Sequence, residues 1–157
     1  MKLSTKGRYA VMALVDIGQQ AGGNPVSLQD IAGRQEISQE YLEQLFMKLR
    51  KAGLVDSARG PGGGYRLARQ PGEIAIAEII EAVEEPIKMT RCEDGDAIAG
   101  CVKGEQCCTH DLWQSISRQV TGFLSNVTLE DVVQTRNLAL AASIRQAKAR
   151  PSWRKSA

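Results

Sequence analysis

The chain has 157 residues, of which 43% are hydrophobic and 24% charged, and its formal net charge is +2. This length suits one compact domain with an extension, and the composition is ordinary for a soluble globular protein. No apolar run approaches the roughly 18–20 residues that a membrane span requires, so we expect no membrane partner. The apolar part of the N-terminus contains Asp16 and has no small-residue cleavage site after it, so it resembles a signal peptide only weakly. We therefore expect a cytoplasmic protein.

Charge is distributed unevenly along the chain. Residues 1–70 hold ten Lys and Arg against six Asp and Glu, residues 71–111 hold three against ten, and residues 112–157 hold seven against two. A basic first segment followed by an acidic one fits a nucleic-acid-binding unit attached to a sensor, although surface charge often serves only solubility.

The N-terminal residues predict an amphipathic helix. Ser4 or Thr5 can cap it, and apolar residues recur at i, i+3, i+4, i+7 from Ala10 to Ile17. The breakers at positions 22–25 should end this helix. Basic residues near its start are candidate phosphate contacts, although solvated surface charges are about as plausible; they are Lys2, Lys6 and Arg8.

Residues 27–53 predict a helix-turn-helix. Ser27 and Asp30 resemble a capping box for a short helix, the chain should turn over residues 34–37, and Ser38 should cap the next helix. That helix should end at Gly53 and bury a stripe formed by Leu42, Leu45, Phe46 and Leu49. Its outward polar face suits a DNA recognition helix. The candidate DNA contacts are Ser38, Gln39, Glu40, Tyr41, Glu43, Gln44 and Lys48, with Arg50 as a possible phosphate contact.

Two side chains of this face carry distinct base-reading chemistry. Gln44 can donate and accept at the N6/N7 edge of adenine, and Glu43 can accept from cytosine N4. Glu43 also repels phosphates and acceptor edges, so it discriminates by exclusion as well as by attraction. Glu40 adds a second negative charge to the same face.

A glycine-rich hairpin should follow. Residues 54–58 and 65–69 predict two strands around the loop RGPGGG at residues 59–64. Because glycine permits positive φ and close approach, the loop can lie against a phosphate backbone and insert Arg59 into the minor groove. We favour a DNA-contacting wing over a plain hairpin tip. Its candidate contacts are Arg59, Gly60, Pro61, Gly62 and Gly63.

The remaining sequence predicts three more helices. A short one should bury residues between 76 and 83 and end at Pro86. A long one should run from Thr109 or His110 to about Asn126, and its length suits dimerisation, though packing on its own domain is nearly as plausible. A capping box at residues 128–131 should start a last helix that continues to about residue 147. The polar, basic tail at residues 148–157 predicts disorder.

All four cysteines and the only histidine lie between Cys92 and His110. This crowding predicts a metal or iron–sulfur site on a loop, since clustered cytosolic thiols bind metal or sense redox state more often than they form disulfides. Three cysteines and a histidine also form a recognised zinc set, and the spacing alone supports cluster and zinc about equally. A vicinal disulfide between Cys107 and Cys108 would be strained. An enzyme has little support, because the histidine lies in this loop and we find no nucleophile motif.

Four segments together resemble one family. The segments KLSTKGRYAV (2–11), ISQEYLEQLFMKLRKAGLV (37–55), RGPGGGY (59–65) and CCTHDLW (107–113) resemble the IscR family of winged-helix iron–sulfur transcription regulators. The resemblance implies a mainly α fold with a small β-hairpin wing. It divides the chain into a winged helix-turn-helix domain (1–85), a cluster-binding loop (86–110), a dimerisation helix with a C-terminal helix (111–147) and the tail.

The resemblance also implies the cofactor and the partners. It implies a 2Fe–2S cluster on Cys92, Cys101, Cys107 and His110, and a homodimer that reads a palindromic double-stranded site. Family members repress the operon for cluster assembly when the cluster is present, which implies the assembly machinery as cluster donor. A zinc-stabilised regulator, or one that responds to nitric oxide or iron, is the alternative. An imidazole ligand should raise the reduction potential and make cluster occupancy depend on pH.

Two features depart from the family pattern. The loop between Cys92 and Cys101 is longer, and Cys108 is additional. We assign Cys107 as the ligand because its offset to His110 matches the family. Consecutive helical residues point about 100° apart, so Cys107 and Cys108 cannot easily address one iron together.

Overall fold

The computed structural model describes residues 5–20, 23–84 and 108–134, together with residues 143, 145 and 146. Within these residues the elements are α1 (Thr5–Gln19), α2 (Leu28–Gln35), α3 (Gln39–Lys51), β1 (Val55–Ala58), β2 (Gly64–Leu67), a 3-10 turn (Pro71–Glu73), α4 (Ile76–Ala82), α5 (His110–Ser125) and α6 (Leu129–Val133). The predicted fold, mainly helical with a β-hairpin wing, is confirmed. None of the helices in these ranges is long and apolar enough to span a bilayer.

Helices α2 and α3 form the predicted helix-turn-helix. Ser27 caps α2: its hydroxyl accepts a hydrogen bond from the Asp30 amide at 3.1 Å and donates one to the Asp30 carboxylate at 2.7 Å. The turn begins later than predicted, because α2 continues to Gln35 and Glu36 ends it with a φ of 53°. Ser38 occupies the N-cap position of α3, but its side chain makes no capping hydrogen bond in the described structure, which corrects that prediction.

The core lies where α3 meets the other helices and the hairpin. The predicted stripe of α3 is buried in full: Leu42, Leu45, Phe46 and Leu49. The ring of Phe46 lies 4.7 Å, centroid to centroid, from that of Tyr65 on β2. Helix α1 packs against α4, α6 and β2, as well as against α2 and α3. The wing and the recognition helix are therefore fixed to one common core.

The strands of the hairpin are slightly shorter than predicted, and the second strand begins one residue earlier. β1 and β2 pair antiparallel, with Val55 opposite Leu67 and Ala58 opposite Gly64. Gly64 is thus a strand residue rather than part of the loop, and its neighbour Tyr65 pairs with Val26 across a further bridge. A side chain on Gly64 would clash with the Val26 backbone, so this close approach requires glycine.

The segment before α4 is hydrogen-bonded to the connection between α5 and α6 through main-chain atoms. The Ile76 amide donates to the Val127 carbonyl at 2.9 Å, and the Leu129 amide donates to the Ile74 carbonyl at 2.8 Å. These bonds form an isolated bridge between Ala75 and Thr128. The C-terminal end of α5 is therefore held close to the start of α4.

The last predicted helix is wrong in length. The Thr128–Asp131 capping box is present, but α6 ends at Val133, with Gln134 as its C-cap, and does not run on to residue 147 as one helix. Residues 143, 145 and 146 again have helical backbone. Pro86 and the tail lie outside the described residues. The 3-10 turn before α4 was not predicted.

Candidate functional site

The outward face of α3 presents a group of polar side chains to solvent. Gln39, Glu40, Glu43 and Gln44 are exposed, and Met47 beside them is 67% exposed. The Gln39 amide donates to the Glu43 carboxylate at 3.1 Å, which joins successive turns of the helix. This face offers amide donors and acceptors next to carboxylate acceptors, the groups that can read base edges in a major groove.

Two of the predicted α3 contacts already have partners in the protein. Tyr41 is half-buried, and its ring meets Tyr9 of α1 edge-on, with centroids 5.9 Å apart. Lys48 Nζ lies 2.6 Å from Glu84 Oε2, at the end of α4. Tyr41 thus tethers α3 to α1, whereas Lys48 would have to exchange a partner to reach DNA.

The wing loop is exposed as predicted. Arg59, Gly60, Pro61 and Gly62 are exposed, and Gly63 is half-buried. Gly60 and Gly62 have φ values of 103° and 76°, and the Gly63 amide closes the loop on the Gly60 carbonyl at 2.8 Å. With Arg59 at its base, this tight turn suits contact with a phosphate backbone.

The predicted phosphate contacts are also at the surface. Lys6 and Arg8 on α1 and Arg50 on α3 are all exposed. Hydrogen bonding and charge from Lys48, followed by the charges of Lys51 and Lys6, lower the pKa of Glu84 below its ordinary value. A basic surface therefore surrounds this carboxylate at the C-terminal end of the recognition helix.

An ion pair between a buried carboxylate and a surface guanidinium joins α1 and α2. Arg34 donates from Nη2 to Asp16 Oδ1 at 2.6 Å, and Gln35 donates to Asp16 Oδ2 at 2.8 Å. Burial opposes ionisation of Asp16, but the hydrogen bonds from Arg34 and Gln35 and the Arg34 charge outweigh it and lower the pKa. The carboxylate stays charged and holds the first helix of the DNA-binding motif.

Of the predicted cluster ligands, only His110 lies within the described residues. It is the buried first residue of α5, with Thr109 at the N-cap. Cys92, Cys101 and Cys107 fall outside the described residues. Within the described ranges, no group of three or more His, Cys, Asp or Glu could hold a metal.

The chemistry of the cysteine and histidine set suits a cluster. Three thiolates and one imidazole fill the four terminal positions of a 2Fe–2S centre. His110 is buried rather than solvated, whereas Cys108 is a free, exposed thiol two residues earlier. These two positions are compatible with His110 and Cys107 as ligands and with Cys108 outside the set.

Helix α5 carries an exposed apolar surface. Leu112 is 55% exposed, and Trp113 and Phe123 are also exposed. Apolar side chains of this size on one helix commonly mark a surface that another chain covers.

Glu84 and Tyr9 were not predicted as parts of the site. Lys48 and Glu84 are 36 residues apart, and no local pattern links them. The Tyr9–Tyr41 contact likewise depends on how α1 crosses α3, although two tyrosines at the ends of amphipathic stripes could have suggested an aromatic pair.

Known proteins share this fold and sequence over most of the chain. Residues 3–135 match the Rrf2 family, described as an iron-dependent transcriptional regulator. The HTH-type transcriptional regulators IscR of Klebsiella pneumoniae and Cronobacter sakazakii are each 49% identical over 138 residues, covering 88% of this chain and 83% of theirs.

Solved structures give the same result. T. potens IscR is 39% identical with a TM-score of 0.69, covering 86% of this chain and 88% of its own. CymR, the global cysteine regulator of B. subtilis, is 36% identical with a TM-score of 0.73, covering 87% and 99%. The resemblance to IscR proteins is confirmed, and these relatives are regulators, not enzymes. The chain belongs to the Rrf2 family of iron-dependent transcriptional regulators.

Proposed function

We propose that this DNA-binding regulator senses the supply of iron–sulfur clusters and represses cluster-assembly genes when its own 2Fe–2S cluster is bound. The observation that carries the proposal is the position of His110. It closes the cysteine-rich segment and is the buried first residue of α5. The connection that follows α5 is hydrogen-bonded to the segment before α4. One helix would thus join a cluster ligand to the unit that reads DNA.

Cys92, Cys101, Cys107 and His110 would hold the cluster. When bound, the cluster would supply a redox-active and labile group, and its presence or loss would let the protein respond to iron–sulfur status. His110 binds only as neutral imidazole, so acidification should release the cluster. Zinc is the competing occupant of this donor set. A response to nitric oxide or iron through the same loop is the second alternative, which the family description as iron-dependent favours in part.

Two copies of the chain would form the active regulator. The exposed Leu112, Trp113 and Phe123 give α5 an apolar surface for a second α5. A twofold dimer places two recognition helices and two wings on a palindromic double-stranded site. The iron–sulfur assembly machinery would act as cluster donor, and the protein would work in the cytoplasm.

The switch would act through Glu43. Its carboxylate is exposed on α3 and accepts a hydrogen bond from the exposed side chain of Gln39. A carboxylate there favours cytosine amino groups and disfavours phosphates and acceptor edges. Cluster binding would order residues 92–110 and change which sites tolerate this charge.

The test is anaerobic purification followed by a visible spectrum and counts of iron, sulfide and zinc. We expect two irons and two sulfides per chain, and loss of colour in His110→Ala. The loaded and cluster-free forms are then compared for binding to a cluster-assembly promoter. A colourless protein with one zinc per chain, or equal affinities of both forms for every promoter tested, contradicts the proposal.

A further inference from the structure

An ion pair connects α3 to Glu84, which lies eight residues before Cys92 in the sequence. Lys48 Nζ donates to Glu84 Oε2 at 2.6 Å, between α3 and the end of α4. The Lys48 side chain is 33% exposed and that of Glu84 is 76% exposed. The pair therefore lies at the surface, where an exposed ion pair contributes little to folding and water or another anion can replace a partner.

The surroundings of Glu84 resemble those of a bound phosphate. Besides Lys48, the charges of Lys51 and Lys6 act on this carboxylate and lower its pKa. Lysine ammonium groups bind phosphate oxygens as point charges, in the same way that they bind a carboxylate. A surface with three lysines around one exposed carboxylate therefore has the chemistry to accept a phosphate in its place.

The position on α3 suits a backbone contact. Base edges are read by the first turns of a recognition helix, which here carry Gln39, Glu43 and Gln44. Lys48 lies one turn beyond Gln44, in the last turn with Arg50 and Lys51. Positive side chains at this end are placed to meet phosphates that flank the bases.

Glu84 also has a distinctive place in the chain. It follows α4 with a φ of 59°, a left-handed conformation that few non-glycine residues adopt. In the sequence it lies eight residues before Cys92. Its side chain reaches Lys48 from this turn after α4, so an exchange of partners at Lys48 would release the contact between α3 and the end of α4.

We propose that Glu84 occupies, in the DNA-free protein, the position of a DNA phosphate on Lys48, so that the duplex must displace it. Lys48 then contacts the phosphate backbone. Glu84, which lies on the N-terminal side of the cysteine-rich segment, is released from Lys48. The inference deepens the proposed function, on which its link to cluster sensing rests, but the competition for Lys48 operates on any duplex.

The experiment measures binding of the full-length protein to a random-sequence duplex over a series of salt concentrations. In Glu84→Gln the competitor is neutral, so affinity at low salt should rise roughly two- to fivefold. This gain should shrink as the salt concentration rises, because salt also weakens the Lys48–Glu84 pair. The slope of log K against log salt should therefore become slightly steeper, while the number of phosphate contacts stays the same. Glu81→Gln is the matched control, because it removes an exposed carboxylate three residues earlier, in the last turn of α4.

A double-mutant cycle separates competition from a general charge effect. In a Lys48→Gln background, the gain from Glu84→Gln should shrink to that of Glu81→Gln, because the contested lysine is missing. Thermal unfolding of each variant checks that the fold is intact. The proposal is overturned if Glu84→Gln matches Glu81→Gln in affinity and slope, or if its gain persists without Lys48.

The proposed function would be contradicted by results that differ from those that decide the competition for Lys48. Wild-type protein that binds DNA equally with and without its cluster would contradict cluster sensing, while the Glu84 variants still decide the competition. Wild-type protein that binds no duplex would contradict both.

Discussion

Asp16 of α1 and Arg34 of α2 form an ion pair that is buried on the aspartate side, with Arg34 Nη2 2.6 Å from Asp16 Oδ1. The Asp16 side chain is almost completely buried, whereas Arg34 is partly exposed. The pair fixes the angle between the first two helices, and through α2 it fixes the recognition helix.

Replacing Asp16 with Asn should lower the free energy of unfolding by about 1–3 kcal/mol, because Arg34 and Gln35 lose a charged acceptor. The cost stays below that of a fully buried pair because Arg34 can turn to solvent. Urea denaturation followed by circular dichroism measures the change, and Asp30→Asn at the exposed cap of α2 is the comparison. A loss no greater than that of Asp30→Asn would contradict a positioning role.

Asp131 should make stability depend on pH. Burial opposes its ionisation, but hydrogen bonds from Arg145 and Thr128 and the charge of Arg145 lower its pKa to about 2. A depressed pKa stabilises the fold above the unfolded value near 3.8, and this stability is lost as the pH falls towards 2.

Between pH 5 and pH 2, wild-type protein should therefore lose about 1–2 kcal/mol more than Asp131→Asn, a figure discounted because Arg145 is partly exposed. Cluster-free protein is used for both, so that acid release of the cluster does not contribute. Parallel loss in the two proteins would show that Asp131 is not the titrating group.

Gly64→Ala should destabilise the junction between wing and α2 by about 1–3 kcal/mol, because the new methyl group meets the Val26 carbonyl. Gly33→Ala is the matched control: it lies within α2 with no atom within 4 Å of the added carbon. That substitution should be neutral or stabilise by up to about 1 kcal/mol, since alanine favours helix. Chemical denaturation of both variants checks the difference, and equal effects would contradict the close approach at Gly64.

The two adjacent cysteines should differ in their effect on the cluster. Cys108→Ala should keep two irons per chain, because this thiol is exposed and free, whereas Cys107→Ala and His110→Ala should lose them. Iron analysis and the visible spectrum of anaerobically purified protein give the answer. Cluster loss in Cys108→Ala with retention in Cys107→Ala would show that the ligand assignment is wrong.

Glu43→Gln should relax the choice of DNA site. Glutamine has nearly the same size as glutamate and can still accept the hydrogen bond from Gln39. Without the negative charge, however, the side chain no longer repels acceptor edges. Discrimination between a promoter site and a random duplex should fall by about tenfold, the effect of one base contact. Glu81→Gln, which removes an exposed carboxylate outside the candidate DNA contacts, should alter discrimination much less. Binding measured at one fixed salt concentration compares the three proteins.

The elements that follow from local chemistry were predicted well. The stripe from Leu42 to Leu49 has strict helical spacing, and the caps at Ser27 and Thr128 place a short polar side chain before an apolar run. The glycine-rich loop between two short strand segments likewise indicates the hairpin. In each case the deciding interactions lie within a few residues of each other.

The errors arise where distant parts of the chain decide. Apolar residues continue past Val133, so periodicity alone cannot show that α6 ends there. Gly64 becomes a strand residue because Val26 lies against it. Lys48 was predicted as a DNA contact, but it has a partner, Glu84. Glu84 follows a different helix, so the local sequence around Lys48 does not indicate this pair. The ligand set remains a prediction from composition and resemblance.

The bridge between Ala75 and Thr128 holds the C-terminal end of α5, and α5 also packs against α4. Besides its main-chain hydrogen bonds, this joint contains the buried side chains of Ile74, Val127 and Leu129. Sixteen residues extend about 24 Å from the fixed end to His110. A tilt of about 10° around the joint would therefore move the histidine end by about 4 Å. A small rotation at the anchored end would thus become a displacement of several ångströms at the cysteine-rich end.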